Sequence, residues 1–313
     1  MIRRFLVAST LAWMTAAVVA QGERPVQWIS NAQQGVAQAK RSGMPLLFYI
    51  GGSGSSGRSD SDLEDAQQQT LRDGLVRGIV QSRFVPVRLP RSTNTQTILN
   101  QMGARVGVGY CLVVATPDGE LIGVIDPQQL TDARTLARQL TAMFRKYRTQ
   151  VFEKELKPKL EGGSAGEIIK ALKVIDAMLI TEADTSVVAL VEKGGLSPAV
   201  TKQAYSTLAT LSTPAAVKAL LKAALQDKLA ARALNRCTAG GAAELLPALD
   251  SQNFDEFLVA YEAMTKICKI NNAKPRGFWS GKNERLIQSE LERVKAEVQK
   301  SSKLWRERYE AYR

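Results

Sequence analysis

Histidine is absent from all 313 residues. That absence excludes a Ser-His-Asp triad, a Cys-His nucleophile pair and any histidine-ligated zinc or haem. It also removes the side chain most often used for proton transfer near neutral pH. Cysteine is scarce: Cys111, Cys237 and Cys268 are the three present, and no two stand in Cys-x-x-Cys spacing. Beyond residue 20 no apolar run approaches the roughly 20 residues that a spanning helix needs. Any chemistry would have to rest on carboxylates, Lys, Tyr, Ser or a lone Cys, and no cofactor is expected.

Against these absences stand 42 Lys+Arg and 30 Asp+Glu, a net charge of +12, with 45% hydrophobic and 23% charged residues. The balance is that of a globular protein, and the length suits two domains. A basic surface favours acidic partners such as acidic polymers or anionic head groups. Charge alone does not indicate a specific nucleic-acid role.

Residues 1–20 have the layout of an export signal. Arg3 and Arg4 make a basic start, residues 5–20 are uncharged and mostly apolar, and Val18-Val19-Ala20 suits cleavage before Gln21. A retained anchor is the alternative, but this run is shorter than the roughly 20 residues of a membrane span. The expected protein is periplasmic or extracellular, without a transmembrane segment once the signal is removed.

The next region, 21–150, alternates helical and strand signals. Ser30 is placed to cap a helix to about Ser42. Residues 44–50 are a continuous apolar run, as in a buried strand. The Gly/Ser-rich stretch 51–60 reads as a loop. A helix over 62–82, a strand over 83–89 and a short helix over 95–103 follow. Pro86 marks its strand as an edge or a bulge. The strand 110–116, the turn Pro117-Asp118-Gly119, the strand 120–125 and a helix from Thr131 to about Gln150 complete the order αβαβαββα. This implies an α/β domain with a mixed sheet and helices on both faces.

That order, with the phrases Ala39-Lys40-Arg41-Ser42-Gly43-Met44-Pro45-Leu46-Leu47-Phe48, Phe84-Val85-Pro86-Val87-Arg88-Leu89 and Leu112-Val113-Val114-Ala115-Thr116-Pro117-Asp118-Gly119, resembles the thioredoxin fold. The resemblance implies that 44–50 is the central strand and that the last phrase is the strand–turn–strand after the cis-proline. It also implies a Cys-x-x-Cys pair in the loop after Ile50, where the helix N-terminus would support the thiolate. Ser55 and Ser56 stand there instead, followed by Arg58, and Tyr110 falls at or near the cis-proline position. Serine has no redox chemistry, so the expectation is a redox-inactive thioredoxin-like domain.

Gly52-x-x-x-x-Gly57-Arg58-Ser59 has phosphate-loop spacing with Arg in place of Lys. The substitution and the export signal argue for a plain surface loop. Cys111, beside Tyr110, is either a small buried hydrophobe or the centre of a one-cysteine thiol enzyme.

Polar, Pro- and Gly-containing residues 151–165 read as a linker. Beyond it, 166–313 is rich in Ala, Leu and Lys, with helices expected near 166–181, 185–194, 198–211, 214–226, 228–237, 241–249, 254–270 and 283–312. Ala204, Leu208, Leu211, Ala216 and Leu220 recur after 26 residues as Ala230, Leu234, Cys237, Ala242 and Leu246. The pattern resembles HEAT-type helical repeats, which implies an all-α repeat or bundle with a curved partner-binding surface. Cys237 and Cys268 are a candidate disulfide in an exported protein, or two separate core thiols.

The last helix carries Ile287, Leu291, Val294 and Val298, then Trp305, Tyr309 and Tyr312, on one face, with Ser301 and Ser302 interrupting the seam. Residues 266–313 hold 13 Lys+Arg and 6 Asp+Glu. Within them Arg276, Phe278, Trp279 and Lys282 mix charge and aromatic rings in a loop suited to an acidic or planar partner. The function expected is that of an exported, redox-inactive thioredoxin-like interaction or scaffold module of the cell envelope. The alternatives are a one-cysteine enzyme using Cys111, and a polyanion or envelope-surface binder acting through the basic C-terminal segment.

Overall fold

The structure is a computed structural model that describes residues 25–51, 68–90, 92–104, 111–130, 132–281 and 283–312. The chain divides between Tyr147 and Arg148 into two compact units.

The first unit begins with α1 (Ala32–Ser42). Asn31, not Ser30, caps it, its side-chain oxygen accepting from Gln34 N at 3.1 Å. Gly43 ends it in the left-handed region, φ 69°, where glycine carries no side-chain penalty. Gly35 lets α1 approach the sheet: a Cβ there would stand 2.4 Å from Val87 Cγ2. β1 (Leu46–Gly51) is buried throughout.

The helix expected over 62–82 is interrupted. Residues 68–72 are helical, and α2 (Gly74–Arg83) starts afresh because the Asp73 carboxylate accepts from Leu75 N and Val76 N at 2.8 and 3.3 Å. β2 (Val85–Pro90), α3 (Thr93–Gln101), β3 (Cys111–Ala115) and β4 (Leu121–Ile125) follow. The sheet runs β2-β1-β3-β4. β1 and β2 are parallel, and β3 is antiparallel to both β1 and β4. Pro86 sits on the edge strand β2, as its missing N–H requires. Its carbonyl accepts from Ile29 N at 3.0 Å.

Alternate residues of β1 serve opposite faces. Leu46, Phe48 and Ile50 join Ala39, Leu99 and Val113 in one core. Leu47 and Tyr49 point the other way and are buried as well. α4 (Ala133–Val151) starts at Asp132, whose Oδ2 accepts from Thr135 N at 2.8 Å. Within this unit its Tyr147 hydroxyl donates to Gly43 O at 2.7 Å.

The segment expected as a linker is helical. A π-turn (Phe152–Leu156) continues from α4 into α5 (Lys157–Gly162). The polar composition conceals one apolar stripe: Phe152, Leu156 and Leu160 recur every fourth residue and all are buried. The break comes at Gly163, and Ser164 and Glu167 then form a reciprocal capping box that opens α6 (Ala165–Met178).

Helices α7 (Asp184–Lys193), α8 (Pro198–Leu211), α9 (Pro214–Ala224), α10 (Lys228–Leu234) and α11 (Ala239–Ala242) follow. A 3-10 segment (Ala243–Asp250) and α12 (Phe254–Ile267) come next. The packing is periodic: α6 on α8, α8 on α10 and α10 on α12, with α7 on α9 in a second row. Nine of the ten residues in the 26-residue repeat are buried, with Leu246 only half-buried. The turns before α9 and α11 are pinned together as Thr238 N donates to Ser212 Oγ at 2.9 Å, again across 26 residues.

A short turn α13 (Arg276–Trp279) and the long α14 (Glu284–Tyr309) close the unit. Ser302 continues the α14 seam instead of interrupting it. It is buried, and its hydroxyl donates to Gly240 O at 3.3 Å. Tyr309, expected on that seam, is exposed. Among the described residues no helix is long and apolar enough to cross a membrane.

Candidate functional site

In the sheet unit the end of β1 and the start of β3 lie side by side, with Ile50 opposite Cys111. Ser55, Ser56, Arg58 and Tyr110 lie outside the described residues. Cys111 is described: it is 1% exposed and belongs to the apolar core with Ile50, Leu89 and Val113. A thiol so placed packs as a small hydrophobe. On the α1 side of the sheet, an open groove of about 630 Å³ is lined by Val36, Phe48, Ile98 and Met102, among others. At its rim Lys40 and Asp118 form a 3.1 Å ion pair, well exposed on both sides, a geometry worth little in water. The groove has no counterpart in the sequence pattern, because it needs α1 and α3 brought to one sheet face.

In the helical unit the basic-aromatic loop is a folded turn. Trp279 is buried, with ring centroids 4.8 Å from Phe257 and 4.7 Å from Tyr261, both edge-to-face. It is therefore a core anchor rather than a contact residue. Phe278 is half-buried and Arg276 exposed. Arg276 donates to Asp255 Oδ1 at 2.9 Å and lies 5.5 Å over the Phe254 ring. Lys274 Nζ lies 5.6 Å over Phe278. Lys282, grouped with them by sequence, lies outside the described residues.

What fixes this turn is a network that the sequence does not announce. Lys274 N donates to the Tyr261 hydroxyl at 2.6 Å, which donates to Glu290 Oε1 at 2.9 Å. Arg293 clamps Glu290 with two bonds of 2.9 and 2.7 Å. Burial works to raise the Glu290 carboxyl, but the Arg293 and Tyr261 hydrogen bonds hold it below the usual range. Burial pushes the Tyr261 hydroxyl up to about 12. Both groups therefore keep one protonation state near neutrality and act as struts. Phe254, 39% exposed, stacks on Phe257 and supplies the apolar part of the surface. Arg276, Phe254 and Phe278 together make a small patch with one cation held over an aromatic face.

All three cysteines are free thiols, so Cys237 and Cys268 are not joined. Each has its own partner: Cys237 interacts with Ser212, and Cys268, at the end of α12, with Ser301 of α14. Burial pushes the Cys237 thiol up to about 12 and raises Cys268 as well. Among the described residues no three of His, Cys, Asp and Glu cluster to hold a metal ion. A scan against protein-family models and a search of the curated proteins give no match to this chain.

Proposed function

We propose that this is an exported, redox-inactive binding protein of the cell envelope. A thioredoxin-like sheet unit serves as scaffold, and a HEAT-like helical unit presents a surface to a protein partner. The observation that carries the reading is Cys111: the sheet unit's one cysteine is enclosed in the core, and no second thiol stands near it in sequence. Disulfide exchange needs an accessible thiolate and a resolving partner. Support for the fold comes from β1, the central strand of the resemblance, which is flanked by β2 and β3, and from the β3–β4 hairpin. Support for repeats comes from the two rows of packed helices and the 26-residue link between Ser212 and Thr238. Export rests on the layout of residues 1–20.

The patch of Arg276, Phe254 and Phe278 fits an acidic protein segment with apolar side chains, which would meet a cation and two rings. The test places a photo-crosslinking residue at Phe254 in the full chain, mixed with an envelope fraction. The expected result is one discrete protein adduct that Arg276→Glu abolishes, with no turnover in a disulfide-reductase assay. Reductase turnover above that of a Ser55→Ala/Ser56→Ala double variant would overturn the reading. So would the absence of any adduct together with salt-sensitive binding to polyphosphate, which is the behaviour of a polyanion binder.

A further inference from the structure

Val36 of α1, Phe48 of β1, Ile98 of α3 and Met102 just beyond it line the open groove of the sheet unit. Its volume of about 630 Å³ suits a small organic ligand. Val36, Ile98 and Met102 are half-buried, so part of each apolar side chain is open to a guest. The charged groups among the described lining residues are Lys40, in the last turn of α1, and Asp118, in the turn between β3 and β4. They stand 3.1 Å apart and both are exposed. A closed turn presents Asp118: Gly119 N donates to Thr116 O at 3.0 Å, and Thr116 N to Glu120 O at 2.8 Å.

The rim thus offers one cation and one anion side by side at the edge of an apolar cleft. We propose that this groove binds a free aromatic α-amino acid, which gives the sheet unit a role beyond that of scaffold. The ligand carboxylate meets Lys40, its ammonium meets Asp118, and its ring enters between Val36, Ile98 and Met102.

Charge complementarity selects the head. An ammonium and a carboxylate on one carbon match two opposite charges 3.1 Å apart, whereas the two termini of a long peptide cannot engage both. A simple anion would gain Lys40 but meet Asp118 and the negative end of the α1 dipole. An exposed ion pair is worth little in water, so opening Lys40 and Asp118 to admit the head costs little. The four charges then alternate in sign. The cleft selects the side chain: the Met102 thioether and the Phe48 ring are favourable neighbours for an aromatic ring.

The test is ligand-observed fluorine NMR of para-fluoro-L-phenylalanine with the full chain. The expected result is line broadening that L-phenylalanine competes away. Lys40→Ala and Asp118→Ala, both at exposed side chains, should each weaken binding about fivefold, the upper worth of an exposed ion contact. N-acetylation or amidation of the probe, each removing one head charge, should weaken it by a similar factor. Ala37→Trp, which fills the groove from its exposed edge, should abolish binding. Arg276→Glu, in the helical unit, should change nothing. No broadening at millimolar probe, or broadening that persists in Ala37→Trp, overturns the proposal. So does equal binding of the acetylated and amidated probes, which is the behaviour of an apolar cleft that does not recognise the head.

Discussion

Arg148→Ala is expected to lower the stability of the helical unit by about 3 kcal/mol, the cost of breaking a buried ion pair. The side chain is 1% exposed and reaches Leu179 O at 2.5 Å, Thr181 Oγ1 at 2.9 Å and Glu182 Oε1 at 3.1 Å. Those three acceptors surround the sharp turn after α6, where Leu179 takes a left-handed conformation at φ 50°. A non-glycine residue there carries strain that its surroundings must offset. Removing the guanidinium takes a donor from Leu179 O, which keeps its bond from Thr181 N at 2.9 Å, leaves Glu182 without its cation and frees the strained turn. Glu182 keeps partial access to water, which is why the loss falls at the lower end of the range for buried pairs. Arg148→Lys should recover little, because a single ammonium cannot span acceptors that a planar fork reaches together. Denaturant unfolding measures both variants, and a loss below about 1 kcal/mol for Arg148→Ala would refute the role.

Gly240→Ala should destabilise the same unit by about 1–3 kcal/mol, an overpacking cost, where alanine would ordinarily favour a helix. An added Cβ would stand 2.3 and 2.5 Å from Trp305 Cε3 and Cζ3. The indole is a rigid plate, so α14 must shift or the ring must leave its seat. Either movement breaks the bonds from Ser302 Oγ and Arg306 Nη2 to Gly240 O, 3.3 and 3.4 Å long. A double-mutant cycle with Trp305→Ala isolates the clash, because the alanine at 240 should cost little once the ring is gone. Full additivity of the two substitutions would mean that Trp305 does not seat on Gly240.

Which features the sequence disclosed follows from what each depends on. Strand and helix periods depend on neighbours in sequence, so the apolar run around Phe48, the Pro117-Asp118-Gly119 turn and the helices near 198–211 and 214–226 were all legible. Features set by a single competing side chain were not. Asp73 splits an otherwise helical stretch, and the stripe of Phe152, Leu156 and Leu160 makes a helix of a polar, Pro-containing segment. The candidate site was legible by composition only. Arg276, Phe278 and Trp279 announced charge and rings, but only the fold assigns Trp279 to the core and Arg276 to the surface. The strut of Tyr261, Glu290 and Arg293 spans elements distant in sequence and leaves no local pattern. Nor does a Ser302 that serves as a close-packing residue because Gly240 faces it.

A binding role in place of thiol chemistry depends most on the thiol of the sheet unit being enclosed. Native-state alkylation of the full chain, followed residue by residue by mass spectrometry, measures this directly. Cys268, half-buried with a thiol raised by burial, should label slowly, and Cys237, buried and pushed up to about 12, more slowly still. Cys111 should label only on unfolding, in step with the loss of the sheet core, because its core position leaves no access for the reagent. Labelling of Cys111 in the folded chain as fast as or faster than Cys268 would contradict the account and return the sheet unit to thiol chemistry.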